Sequence, residues 1–145
     1  MARLSEVFCR DHQRWERVLA EVERRVATEE WEQALADFAA FREGLERHMA
    51  VEEQCLFPVA EAEGASARTA LAETLRKGHR DLRVFFDEVQ DAIAGRDEEE
   101  FRHVVATMRA LLRLHDEKEE TELYPEVESR LGNDGAAAIA RLGEE

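Results

Sequence analysis

Two segments of the chain, HMAVEEQCLFP at 48–58 and HDEKEETELYP at 115–125, share the pattern His-x-x-x-Glu-Glu-x-x-Leu-aromatic-Pro. Imidazole nitrogen and carboxylate oxygen together suit iron, manganese or zinc rather than calcium or copper(I). On a helix, positions i and i+4 lie about 40° apart and roughly 6 Å along the axis. His48 and Glu52 therefore share a face, as do His115 and Glu119. The two segments are offset by 67 residues, and the same offset carries His12 onto His79. It also carries Leu56 onto Leu123, Phe57 onto Tyr124, Pro58 onto Pro125 and Val22 onto Val89. Each half thus holds one histidine, followed 36 residues later by His-x-x-x-Glu.

Helical phase gives the direction in which these donors point. His48 is in line with Phe41 and Leu45, and His115 with Met108 and Leu112. His12 falls between Phe8 and Trp15, and His79 between Leu75 and Leu82. All six donors are expected to face inward. A buried carboxylate needs a partner or a metal, and two divalent cations satisfy four imidazoles and two carboxylates. If the glutamates bridge, each ion sees two histidines and two carboxylate oxygens and keeps positions open for an exogenous ligand.

The elements that must position this set read as helices. The chain has two prolines and seven glycines in 145 residues, and Leu, Ala, Glu and Arg, all helix formers, dominate. The apolar spacing predicts a first helix from about Ser5 to Ala27, with the stripe Phe8, Trp15, Leu19, Val22 and Val26. Thr28 is expected to cap a second helix, with Glu29 and Glu30 in its first turn. That helix carries Leu35, Phe38, Phe41 and Leu45 and fades near Ala62. A loop at Glu63-Gly64-Ala65-Ser66, with Ser66 as cap, leads to a third helix that stops at Gly95. Asp97 and Glu100 suit a capping box for the fourth, whose stripe is Phe101, Val105, Met108, Leu112 and Leu114 and which ends before Gly132. GAAAIARLG suits a short fifth helix. Short connections between long amphipathic helices imply an all-α, up-down-up-down antiparallel four-helix bundle. The expectation is one domain over 1–145, with pseudo-repeats at about 1–66 and 67–133.

Other residues near the motifs receive plainer readings. His103 lies 12 residues before His115, about 120° and 18 Å away on an ideal helix, and is excluded as a ligand. Glu53 and Glu120 stand about 100° from the glutamate before them and read as solvated or paired with Lys or Arg, with support of a ligand from behind as the lesser alternative. Tyr124 is out of phase with the ligand stripe, so the Leu-aromatic-Pro tails read as structural: the proline bends or ends the helix and the aromatic packs a bundle end, with a radical or proton-donor role for Tyr124 the lesser alternative. Glu16 follows His12 by four, but its repeat mate is Arg83, which argues against a symmetric role. Cys9 and Cys55 have Arg76 and Glu122 as mates; the plainer reading is two buried small residues, and the alternative has the cysteines approach each other near the site while Arg76 pairs with Glu122.

Composition bounds the partners. With 34 acidic and 20 basic residues the formal charge is −14, which repels phosphate backbones and anionic lipid. Nucleic acid and membrane are poor partners on that ground. No apolar run is long enough to span a bilayer, no signal-peptide core opens the chain, and two isolated cysteines suggest a reduced, cytoplasmic setting. Four stripes that bury one another leave a monomer or a weak homo-oligomer as the expected state.

The set H…HxxxE…H…HxxxE with LFP-like tails resembles the hemerythrin-like HHE cation-binding family over essentially the whole chain. The resemblance implies that His12, His48, Glu52, His79, His115 and Glu119 ligate two iron ions, oxo- or hydroxo-bridged, with both glutamates bridging. Zinc and manganese are the lesser alternatives. The oxygen-carrying hemerythrins use an H-x-x-x-H pair on the third helix, whereas here Arg83 follows His79 by four. The pattern is more similar to di-iron proteins of iron-centre repair, of peroxide or nitric oxide response, and of iron sensing. The implied ligand is O2, NO or peroxide, with a role in nitrosative or oxidative stress or iron homeostasis. Enzymatic turnover, sensing and metal storage stay open at this level. Ferritin-like di-iron bundles use Glu-x-x-His instead.

Overall fold

The computed structural model describes residues 3–62, 66–131 and 135–143. Among them there is no strand. Helix α1 spans Leu4–Ala27 and α2 spans Trp31–Val51. A π-helical turn at Glu52–Leu56 then runs into α3, Phe57–Glu61. The second half repeats this order: α4 is Ser66–Ala94, α5 is Glu98–Lys118, a π turn covers Glu119–Leu123, and α6 is Tyr124–Leu131. Every boundary from Trp31 to the start of α3 returns 67 residues later. Helix α7, Gly135–Gly143, occupies the expected GAAAIARLG segment.

Cross-helix pairs give the directions. Asp11 meets His48 and Arg25 meets Asp37, so α1 and α2 are antiparallel. Arg42 meets Asp87 and Arg83 meets Glu46, so α2 and α4 are antiparallel. Glu23 meets Arg109 and Glu16 meets Arg113, so α1 and α5 are antiparallel. The result is the all-α bundle with helices alternating up and down.

The apolar core has two parts with a polar layer between them. One runs from Trp15, Phe38 and Phe41 through Phe86 to Phe101 and Met108. The other holds Leu4, Phe8, Leu56, Phe57, Leu123 and Tyr124, and α7 closes it with Ala138 and Leu142. Large-to-small packing is tight where α1 crosses α2. A Cβ at Gly44 would lie 2.0 Å from the Trp15 ring, so Gly44→Ala must push the indole aside. We expect a loss of about 1–3 kcal/mol, read from denaturant unfolding.

Several expectations need correction. Thr28 ends α1 rather than starting α2: its hydroxyl bonds back to the Arg24 and Arg25 carbonyls, and α2 begins at Trp31 after Glu30. Glu29 adopts a left-handed φ of 58°, and the Glu30 N–H reaches the Arg25 carbonyl, a reversal that closes α1. Its repeat mate Arg96, φ 54°, does the same after α4, one residue past the expected stop at Gly95. Leu114 is 67% exposed, because it stands two residues and about 200° from Leu112. Asp97 caps α5 by accepting from the Glu100 N–H at 3.0 Å. The expected loop at 63–65 lies outside the described residues.

The prolines do not end their helices. Pro58 and Pro125 lack an N–H and crowd the carbonyl four residues back. In the preceding turn the Phe57 and Tyr124 N–H groups reach the carbonyls of Glu52 and Glu119, five residues back. The widened turn accommodates each proline, and the helix continues.

Candidate metal centre

Four helices and the two π turns bring the six predicted donors to one polar layer. His48, His79, Glu52 and Glu119 are buried, with 0–1% exposure, and His12 is nearly so; His115 is partly buried. Their donor atoms form two groups, each with atoms within 4.8 Å of one another: His12, His48, Glu52 and Glu119, and His79, His115, Glu52 and Glu119. The glutamates belong to both. Glu52 Oε2 lies 3.0 Å from His48 Nε2, while its Oε1 lies 3.0 Å from His79 Nε2. Glu119 Oε1 lies 3.1 Å from His12 Nε2, while its Oε2 lies 2.9 Å from His115 Nε2. Two donors about 2.1 Å from a shared ion and at right angles stand about 3 Å apart. Each separation above therefore fits one edge of a coordination polyhedron, and the donor set suits a first-row divalent metal.

The outer nitrogens are held by a second set of carboxylates. His48 Nδ1 meets Asp11 Oδ2, His79 Nδ1 meets Glu53 Oε2 and His12 Nδ1 meets Glu120 Oε2, each at 2.7 Å. Such a partner accepts a hydrogen bond from Nδ1–H and so leaves the Nε2 lone pair aimed at the centre. Glu120 was expected to be solvated or paired with Lys or Arg, and instead it crosses to α1. Glu53 does both, since it also pairs with Arg83 at 3.0 Å. The Glu-Glu doublet, written in both motifs, was the available signal: the first glutamate points to the centre and the second to a histidine of the other hairpin. Trp15 Nε1 donates to the Asp11 carboxylate at 3.0 Å, so Gly44, Trp15, Asp11 and His48 form one chain of support.

His115 is held differently. The repeat mate of Asp11 is Gly78, and no carboxylate meets His115 Nδ1 among the described residues. A Cβ on Gly78 would sit 2.5 Å from that nitrogen. Gly78→Ala is expected to swing the imidazole off its line and weaken metal binding roughly 10–100-fold, the range typical of disturbed ligand support. Competitive chelator titration reads this directly, and unchanged affinity would contradict it.

Without a bound ion the carboxylates set the charge state. Burial pulls His48 down, yet the Glu52 charge and the hydrogen bonds to Asp11 and Glu52 outweigh it, and the pKa stands at about 9. Burial likewise opposes protonation of His79, but Glu119, Glu52 and Glu53 raise it to about 11. His12 is raised well above its ordinary value by Glu119 and Glu120 against its burial. Hydrogen bonding to His79, with Arg83 alongside, lowers Glu53 to about 2.

Two residues that sequence reasoning did not place here also reach the layer. Tyr124 is fully buried, and its hydroxyl donates to Glu52 Oε2 at 2.5 Å. It lies 3.0 Å from Glu119 Oε1 and 3.1 Å from both His12 Nε2 and His48 Nε2. An ideal α-helix would put it about 140° from Glu119. The π turn spends five residues on roughly one turn and returns Tyr124 to the face of Glu119. Burial and the neighbouring Glu119 and Glu52 raise its pKa well above the usual range. Asp116 Oδ1 lies 3.3 Å from His12 Nε2, and burial raises its pKa to about 7.

The remaining candidates stay outside. His103 is exposed, and His103→Ala is expected to leave the metal content unchanged by elemental analysis. Glu16 bonds Arg109 and Arg113 on the surface. Arg76 pairs with Glu61 at 3.0 Å rather than with Glu122, which pairs with Lys118. Helix α3 folds Glu61 back toward α4, and that placement overturns the expected pairing. Cys9 and Cys55 are free thiols beside the second apolar cluster, and Cys55 Sγ accepts from Arg141 at 3.2 Å.

No described helix is long and apolar enough to cross a membrane. No significant match was found among curated proteins or among solved structures. A family model described as the hemerythrin HHE cation binding domain matches residues 3–127. That span contains all six predicted donors and both carboxylate-backed motifs. A bundle whose core carries this buried His/Glu cluster, matched by that model over most of its length, belongs to the hemerythrin HHE cation-binding domain family.

Proposed function

We propose that the protein is a non-heme di-iron protein that binds or reacts with a small ligand such as O2, NO or peroxide. His12 and His48 would hold one ion and His79 and His115 the other, with Glu52 and Glu119 bridging. The observation that carries this reading is the division of each glutamate: its two oxygens stand beside histidines of opposite pairs. A pair of irons supplies redox equivalents and open coordination positions. The chain's own part is positional. Asp11, Glu53 and Glu120 fix three imidazoles. Leu45, Met49, Leu82 and Leu112 line a tight cleft over the donors that shields them from bulk water. We place its role in nitrosative or oxidative stress or iron homeostasis, in the cytoplasm.

A sensing role is the second reading, favoured by one observation: the polar layer interrupts the core across all the long helices, so metal occupancy should feed into fold stability. Storage fits less well, because the described residues form only the two adjoining donor groups. The separating experiment exposes iron-loaded protein to excess NO or peroxide. Consumption of many equivalents per chain supports turnover. Stoichiometric consumption with a large metal-dependent shift in unfolding supports sensing, and more than two irons per chain would contradict both.

A further inference from the structure

The two metal positions are not equivalent in this chain. The 67-residue repeat that generates matched histidines and glutamates fails at the residues that add oxygen. Tyr124 has Phe57 as its mate: the Phe57 ring stands 5.2 Å from His79, where the Tyr124 ring stands 5.7 Å from His12. The rings occupy matching places, but only one carries a hydroxyl. Asp116 has Met49 as its mate, and both line the cleft, one as a carboxylate and one as a thioether.

The hydroxyl is centred on one position alone. Its four near neighbours, His12 Nε2, His48 Nε2, Glu52 Oε2 and Glu119 Oε1, are the donors of a single group, at 2.5–3.1 Å. The three at 3.0–3.1 Å match the separation expected between donors that share an ion, and the contact to Glu52 Oε2 is a short hydrogen bond. Asp116 Oδ1, at 3.3 Å from His12 Nε2, stands at the same kind of spacing.

Resting on the di-iron reading above, we propose that Tyr124 is a phenolate ligand to the ion held by His12 and His48, with Asp116 beside it, and that the ion held by His79 and His115 keeps the position open to exogenous ligand. Coordination exchanges the tyrosine O–H bond for an iron–oxygen bond and releases one proton to solvent, with no change in oxidation state. Two added oxygen donors favour the ferric state at the first position. The second, with Phe57 and Met49 in their places, keeps the lower coordination number that a small ligand needs.

Tyr124 is the chain's only tyrosine, so a tyrosinate signal has one source. The test is resonance Raman and Mössbauer spectroscopy on the full chain, loaded with iron and oxidised by air or ferricyanide. The expected result is a visible charge-transfer band that enhances tyrosinate ring modes, with two distinct ferric doublets of equal area. Tyr124→Phe should bind two irons, lose the band and bring the doublets together. Two irons per chain without tyrosinate modes in the unsubstituted protein would overturn the proposal while leaving the di-iron reading intact. Fewer than two irons would overturn both.

Discussion

Glu52→Ala should drop the iron content from two per chain to one or none, and any iron that remains should be magnetically isolated. Glu52 is fully buried and touches both groups at once: His48 at 3.0 Å, His79 at 3.0 Å and the Tyr124 hydroxyl at 2.5 Å. On the proposed bridging role, removing it deletes a shared donor, so affinity should fall by more than the roughly 10–100-fold caused by disturbing an outer partner. The metal-free protein should suffer as well. His48 and His79 carry raised pKa values because carboxylates face them, and alanine leaves two buried cations without their common counter-charge. Breaking a buried pair in this way costs about 3–5 kcal/mol. Metal analysis, magnetic measurements and denaturant unfolding of chelator-treated protein check the three parts. Two coupled irons in Glu52→Ala would show that Glu52 does not bridge.

Metal-free protein should lose stability as pH rises from about 6.5 to 9, while its affinity for metal rises over the same window. His48 is faced by Asp11 from α1, by Glu52, by Tyr124 and by His12. His79 is faced by Glu52, Glu53, Glu119 and His115. Both folded-state values lie above the ordinary 6.5, at about 9 and about 11. A group raised on folding stabilises fully below its unfolded value, and that contribution is lost as pH climbs through the folded value. At about 1.4 kcal/mol per pKa unit, deprotonating His48 alone removes on the order of 3 kcal/mol. Glu53 and Glu119 are depressed, so their contributions are present above about 4.5 and are lost as pH falls through the folded values. Metal binding needs the Nε2 lone pairs, so it displaces these protons and gains up to tenfold per pH unit for each one. Urea unfolding at pH 6 and pH 9, with and without metal, reads both slopes. A metal-free protein equally stable at the two pH values would contradict this account.

The six central donors were legible because two simple periods coincide. A spacing of four sets His48 with Glu52 and His115 with Glu119, and the phase against Phe41, Leu45, Met108 and Leu112 turns both pairs inward. The 67-residue repeat then adds His12 and His79. What escaped this reading depends on departures from the ideal α-helix or on approach between helices. Tyr124 was assigned to a structural tail because 3.6 residues per turn carries it off the ligand face, and the π turn ahead of Pro125 returns it. Glu120 reaches His12 across α1, a contact that its own helix does not reveal. Asp11 adjoins His12 in sequence yet supports His48 on the next helix. Thr28 has the composition of an N-cap, but its hydroxyl finds the carbonyls behind it. Repeat arithmetic did carry one signal that phase lacked: the doublets Glu52-Glu53 and Glu119-Glu120 recur together, and both members are used.

The central claim is that each repeat supplies half of one coupled two-metal site. The most direct measurement is iron content per chain after anaerobic loading, with variable-field magnetic measurements on the oxidised protein. The account predicts two irons per chain, antiferromagnetically coupled. One iron, none that survives desalting, or two ions with no coupling would contradict it.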